Sequence, residues 1–180
     1  VLEEGGYETE VHDVPANDLR AWRTATAGGL DAGVVFINSK GNVADFDLAG
    51  DTARPGDIPL FNIPAAVFMV HSWAARAPDA GRTVAGRFLQ NGAYAFFGSI
   101  DEPYLSAFVQ TPDLVGRIRA GMPLGVAPRY DESPPWKLNV LGDPLTTFAP
   151  ESTAGRRAGA ELPIDPTVTM SDAASDALRN

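Results

Sequence analysis

The chain has 180 residues, 44% hydrophobic and 21% charged, an ordinary globular composition that is long enough to bury a core without staples. Its formal net charge of −9 argues against a nucleic-acid partner, because no broad basic face is available to neutralise phosphates. Cysteine is absent, which excludes disulfides, thiolate metal sites and a cysteine nucleophile within this chain and leaves the redox compartment open.

No apolar run approaches the ~18–20 residues of a membrane span, and the start lacks the layout of a signal peptide. Beginning at Val1, the chain reads as a processed product or an excised piece, with flanking domains expected. In chain order, "YETEVHDV" (Tyr7–Val14) alternates like a strand. "NDLRAWRTATAGG" reads as a helix with Asn17 or Asp18 as N-cap, Leu19, Trp22 and Thr26 on one face, and Gly28-Gly29 as the stop. "AGVVFIN" is a continuous apolar run, as expected of a strand covered on both faces, and it exits into a turn, "SKGN".

The Pro/Gly/Asp-rich connection that follows holds a short hairpin at Val43–Leu48, then "PAAVFMVHS" is the second apolar run. "PDAGRTVAGRFLQNG" predicts a helix with Val84, Phe88 and Leu89 inward and Gly92 at its stop. "AYAFFGSI" is a third apolar strand. "TPDLVGRIRAG" predicts the clearest helix, with Thr111 as cap, Pro112 at the first helical position, Leu114, Val115 and Ile118 as the apolar face, and Gly121 closing it. "WKLNVLGDPL" is a final strand, preceded by Trp136 and Lys137. Beyond residue 148 the hydrophobic period is lost, so 1–148 is expected as one α/β domain and 149–180 as a tail or linker.

Helices alternating with nearly unbroken apolar strands predict a mostly parallel sheet with helices on both faces. Ligands in such sheets bind beyond the carboxyl ends of the strands. That rule selects Asn38, Ser39 and Lys40 at one exit, His71, Ser72 and Trp73 at the next, and Ser99, Asp101 and Glu102 at the third. His71 and Ser72 are neighbours on an extended strand and so point to opposite faces. His71 reads as a buried imidazole satisfied by a carbonyl or by Asp101 or Glu102. Ser72 could take Lys40 as a base if that lysine were desolvated, and Glu102 could bind backbone groups of its loop or pair with Arg76. The scattered Asp45, Asp47, Asp51 and Asp57 lack calcium-loop spacing. No phosphate loop, nucleophile elbow or other cofactor motif is present, and neither a metal nor a cofactor is expected.

The ordered series "INSKGN", "VFMVHSWAA", "TVAGRFLQNGAYAFFGS", "RIRAGMPLGVAPR" and "WKLNVLGDPL" resembles the caspase-like fold of caspases, gingipain-type peptidases and CHAT domains, over roughly Gly5–Leu145. The resemblance implies a three-layer αβα arrangement. It also implies a general-base histidine at one strand end and a nucleophilic cysteine at the next. In this chain the cysteine position falls on Ser72 and the histidine position on Ser39 or Lys40, so both catalytic residues are missing. The expectation is a catalytically degenerate peptidase-homology domain with a structural or binding role, a module of a larger exported or envelope protein. Its strand-end rim would meet a peptide or protein partner. The alternative is an active hydrolase rebuilt on Ser72 with His71, Lys40 or a nearby acid.

Overall fold

A computed structural model of the chain describes residues 7–12, 17–130 and 137–148. Among the described residues, two sheets are built from seven strands, β1 (Val34–Asn38), β2 (Gly41–Asn42), β3 (Asp45–Leu48), β4 (Asp51–Ala53), β5 (Ala65–Val70), β6 (Ala93–Ser99) and β7 (Leu138–Leu141). Three α-helices accompany them, α1 (Leu19–Ala25), α2 (Val84–Gln90) and α3 (Thr111–Arg119). The main sheet runs β1-β5-β6-β7 and the smaller one β2-β3-β4.

β1, β5 and β6 are parallel, as their apolar runs predict, whereas β7 pairs antiparallel to β6. The sheet is therefore mixed, mostly parallel with one antiparallel pairing at β7. Ile100 N–H donates to the Lys137 carbonyl (2.8 Å) beside the start of β7, continuing that antiparallel pairing. The hairpin expected at Val43–Leu48 is larger, a three-stranded antiparallel meander. Tyr7–His12 forms no strand, because an alternating segment becomes a strand only where an edge accepts its hydrogen bonds. The remainder of that segment, Trp136 and the expected tail lie outside the described residues.

Side-chain alternation splits the core into two layers. Val67, Met69 and Phe96 face α2 (Val84, Phe88) and the small sheet (Phe46, Leu48), with Leu19 and Trp22 of α1 against them. Phe68 and Phe97 face Leu114 and Ile118 of α3. Each buried aromatic or aliphatic side chain contributes about 1.5–3 kcal/mol, so β5, with its first five residues buried, anchors the domain. Both connections that step from β1 to β5 and from β5 to β6 pack on the same face, as right-handed crossovers moving in one direction require.

The helix ends follow local chemistry. Asp18 caps α1 by accepting from Ala21 N–H (2.7 Å), and Thr83 caps α2 by accepting from Gly86 N–H (3.2 Å). α3 starts one residue earlier than its Thr-Pro signal predicts: Thr111 is already helical, and Gln110 occupies the cap without a side-chain bond.

Candidate functional site at the carboxyl rim of the sheet

The register brings the strand exits level. Asn38 pairs with Val70, Phe68 with Phe97 two residues before β5 and β6 end, and Ser99 with Leu138. All nine residues selected from the sequence therefore lie at one end of the sheet. They divide, however, into two groups that look in different directions.

The first group belongs to the small sheet. Ser39 Oγ donates to the Asp47 carbonyl (2.7 Å) and accepts from Asp47 N–H (2.9 Å), while its own N–H donates to the Val70 carbonyl (3.1 Å). Lys40 extends into solvent, 88% exposed, with its ammonium 3.6 Å from the Asp47 carboxylate. His71 is buried, 2% exposed. Its Nε2 lies 2.9 Å from the Asp45 carbonyl; a carbonyl only accepts, so Nε2 carries the proton and Nδ1 is bare. Nδ1 is buried without a hydrogen-bond partner. Burial lowers the imidazole pKa, while the backbone of Asp45 and Ser72 and the carboxylates of Asp45 and Asp47 pull the other way. Gly41 makes the contact possible: a Cβ there, at φ 154°, would lie 2.6 Å from His71 Nε2 and 2.5 Å from the Asp45 carbonyl. Asn38 is exposed at the end of β1.

The second group joins the turn after β5 to the segment after β6. Ser72 Oγ donates to Glu102 Oε2 at 2.6 Å. Trp73 N–H donates to Ser99 Oγ (2.7 Å) and the indole N–H to Asp101 Oδ1 (3.1 Å). Ser99 is fully buried and passes its own proton to the His71 carbonyl (2.6 Å). Glu102 Oε1 accepts from Tyr104 N–H (3.0 Å), and Lys137 Nζ donates to the Glu102 carbonyl (2.6 Å). The indole N–H on Asp101, then the Glu102 N–H, with Lys137 and Arg76 nearby, hold its carboxyl below the usual carboxylate range against slight burial.

Two bulky residues of this cluster have left-handed backbones, Trp73 at φ 57° and Tyr104 at φ 60°. Such conformations cost about 1–3 kcal/mol each and persist where surrounding bonds over-determine them. The Glu102 carboxylate touches both turns, one oxygen on Ser72 and the other on Tyr104. Tyr104 and Leu105 are each 71% exposed, and the Lys137 ammonium sits 5.7 Å from the Tyr104 ring centre.

Chemically, neither pairing considered for Ser72 is assembled. His71, as opposite-face geometry demands, turns to the small sheet while Ser72 turns to Glu102. A lysine base needs desolvation, and Lys40 is exposed on Asp47. Glu102 binds the backbone of its own loop, as expected, and adds Ser72, which no sequence spacing announces. Lys137 and Tyr104 are the rim residues that sequence reasoning missed. The scarcity of lysine, with Lys137 directly before a strand, was the one available signal; a positive φ at a tyrosine leaves none. Among the described residues no group of histidine, cysteine or carboxylate side chains is spaced to hold a metal ion, and no helix is long and apolar enough to cross a membrane.

Comparison of the chain with protein-family models, with curated proteins and with solved structures finds no match.

Proposed function

We propose that this chain is a catalytically degenerate relative of gingipain- and caspase-like peptidases, a module of a larger protein that uses the carboxyl rim of its sheet to bind a peptide or protein partner. The observation that carries the reading is the Ser72 hydroxyl committed to Glu102 at 2.6 Å, at the position where the resemblance puts the nucleophile. Around it, His71 and Ser39 are consumed in bonds that hold the small sheet in place. The polar groups of the rim thus satisfy one another, as in a scaffold that has closed over a vacated site. The exposed Tyr104 and Leu105 on the same rim supply apolar area for a partner.

An ordinary doubly wound ligand-binding domain is less well supported. Such domains bind where strand order reverses, and among the described residues the strands of the main sheet run in sequence order, β1-β5-β6-β7. One observation favours an active hydrolase: a serine hydroxyl on a carboxylate could pass its proton to that acid during attack. A carboxylate is a weaker base than an imidazole, and both oxygens of Glu102 already accept. The test is turnover of activated esters and short peptides. The degenerate reading expects the same background rate for the wild-type chain and for Ser72→Ala; a rate lost in Ser72→Ala would transfer the assignment to the hydrolase.

A further inference from the structure

β1 has the composition of an interior strand and the position of an edge strand. Val34, Val35, Phe36 and Ile37 form an unbroken apolar run, yet all are half-buried, whereas the matching run of β5 is buried. In the main sheet β1 is bonded on one side only, to β5. Ala66 N–H donates to the Gly33 carbonyl (3.0 Å) and Ser39 N–H to the Val70 carbonyl (3.1 Å). The odd-numbered residues therefore turn their backbone groups to β5, and Val34, Phe36 and Asn38 turn theirs outward. Among the described residues nothing bonds these outward N–H and C=O groups. The other sheet edges are blunted: β7 lies between Lys137 and the Gly142–Pro144 turn, β4 carries Asp51, and β2 has two residues. β1 has no charge, proline or bulge, the devices by which an edge refuses another strand.

We propose that the outer edge of β1 pairs antiparallel with β1 of a second copy of this chain, joining two main sheets across a two-fold axis at Phe36. Three observations select a second copy. The added strand must be apolar on both faces, because Val35 and Ile37 belong to one core layer and Val34 and Phe36 to the other; β1 is itself such a strand with a free edge. Phe36, Phe68 and Phe97 stand side by side across β1, β5 and β6, with successive ring centres 5.3 and 6.2 Å apart. The axis sets the second copy's Phe36 beside the first and continues that row. Charge agrees as well. Residues 32–39 carry no charged side chain, so the net charge of −9 on each copy is not focused on this edge. The same register brings Lys40 of each copy level with Ala32 of the other, next to Asp31. The backbone bonds formed are Val34 with Asn38, Phe36 with Phe36, and Asn38 with Val34. This inference goes beyond the degenerate-peptidase reading and does not depend on it.

The experiment is sedimentation velocity of the full chain from low to hundreds of micromolar, with backbone amide exchange followed by NMR at both ends of that range. The expected result is a monomer–dimer equilibrium in which the Val34, Phe36 and Asn38 amides are about ten-fold or more better protected in the concentrated sample. The Val35 and Ile37 amides, already bonded to β5, should change less. Val34→Pro removes one outward donor and spares the β5 ladder, because the first residue of an edge strand tolerates proline. It should raise the dimer Kd about ten-fold or more. A chain that stays monomeric, outward amides equally protected at both concentrations, or a dimer unaffected by Val34→Pro overturns the proposal. If Val34→Pro does not fold, the exchange pattern of the wild-type chain decides alone.

Discussion

His71 shows how a residue that looks catalytic becomes architectural. It stands beside the serine at the end of the central strand, yet its imidazole is turned away and seals the small sheet onto β5 through the Asp45 carbonyl. Nδ1 is buried and unpartnered, so the neutral ring is the form the fold holds. Because burial lowers its pKa, the unfolded chain, titrating near ~6.5, binds a proton that the folded chain refuses. Stability is then full above about pH 6.5 and is lost as pH falls from there through the folded pKa. Urea melts at about pH 7.5, 6.5 and 5.5 should give a midpoint that drops with acid, and the drop over this window should flatten in His71→Gln. A wild-type midpoint constant over the window would remove the buried neutral imidazole from the account. The burial of His71 was legible in the apolar run before it; its partner, 26 residues upstream in sequence, was not, because only the folded meander brings Asp45 there.

At the scale of elements, what could be read depended on how local the determinant is. α1 and α2 were legible because their apolar stripes lie within a few residues of each other: Asp18 caps as expected, and Val84, Phe88 and Leu89 face the core, although α2 begins only at Val84, behind a Thr83 cap that the sequence reading did not single out. α3 was legible in extent but not in its first residue, since Thr111 takes a helical place ahead of Pro112 and leaves the cap to Gln110. The direction of β7 and the third strand of the meander were not legible, because both are fixed by where a distant edge waits rather than by composition. The two caps also differ in what they secure. Thr83 is buried, and its hydroxyl also shares its one proton between the Ala77 and Ala80 carbonyls (2.9 and 2.7 Å), so Thr83→Ala removes a buried donor together with the cap and leaves a void at the core. Asp18→Ala removes a single cap bond. Denaturant unfolding should show a loss of about 2 kcal/mol for Thr83→Ala against about 1 kcal/mol for Asp18→Ala; the reverse order would contradict the placement of α2 at the core.

For the whole molecule, the sequence rule that ligands meet parallel sheets at their carboxyl ends gathered nine residues onto one rim, and the register of β1, β5 and β6 puts them there. What that rule does not contain is orientation. The rim is divided between a side that braces the small sheet and a side that closes Ser72 and Trp73 onto Asp101 and Glu102. A catalytic rim leaves its nucleophile beside a base and open to substrate; this one spends its polar groups on itself. The most direct measurement is intact-mass and peptide-level detection of a fluorophosphonate adduct on the wild-type chain, with Ser72→Ala as the blank. A degenerate peptidase-like scaffold predicts no adduct at Ser72 above the blank at pH 7 to 8. Stoichiometric modification of Ser72, abolished in Ser72→Ala, would contradict it.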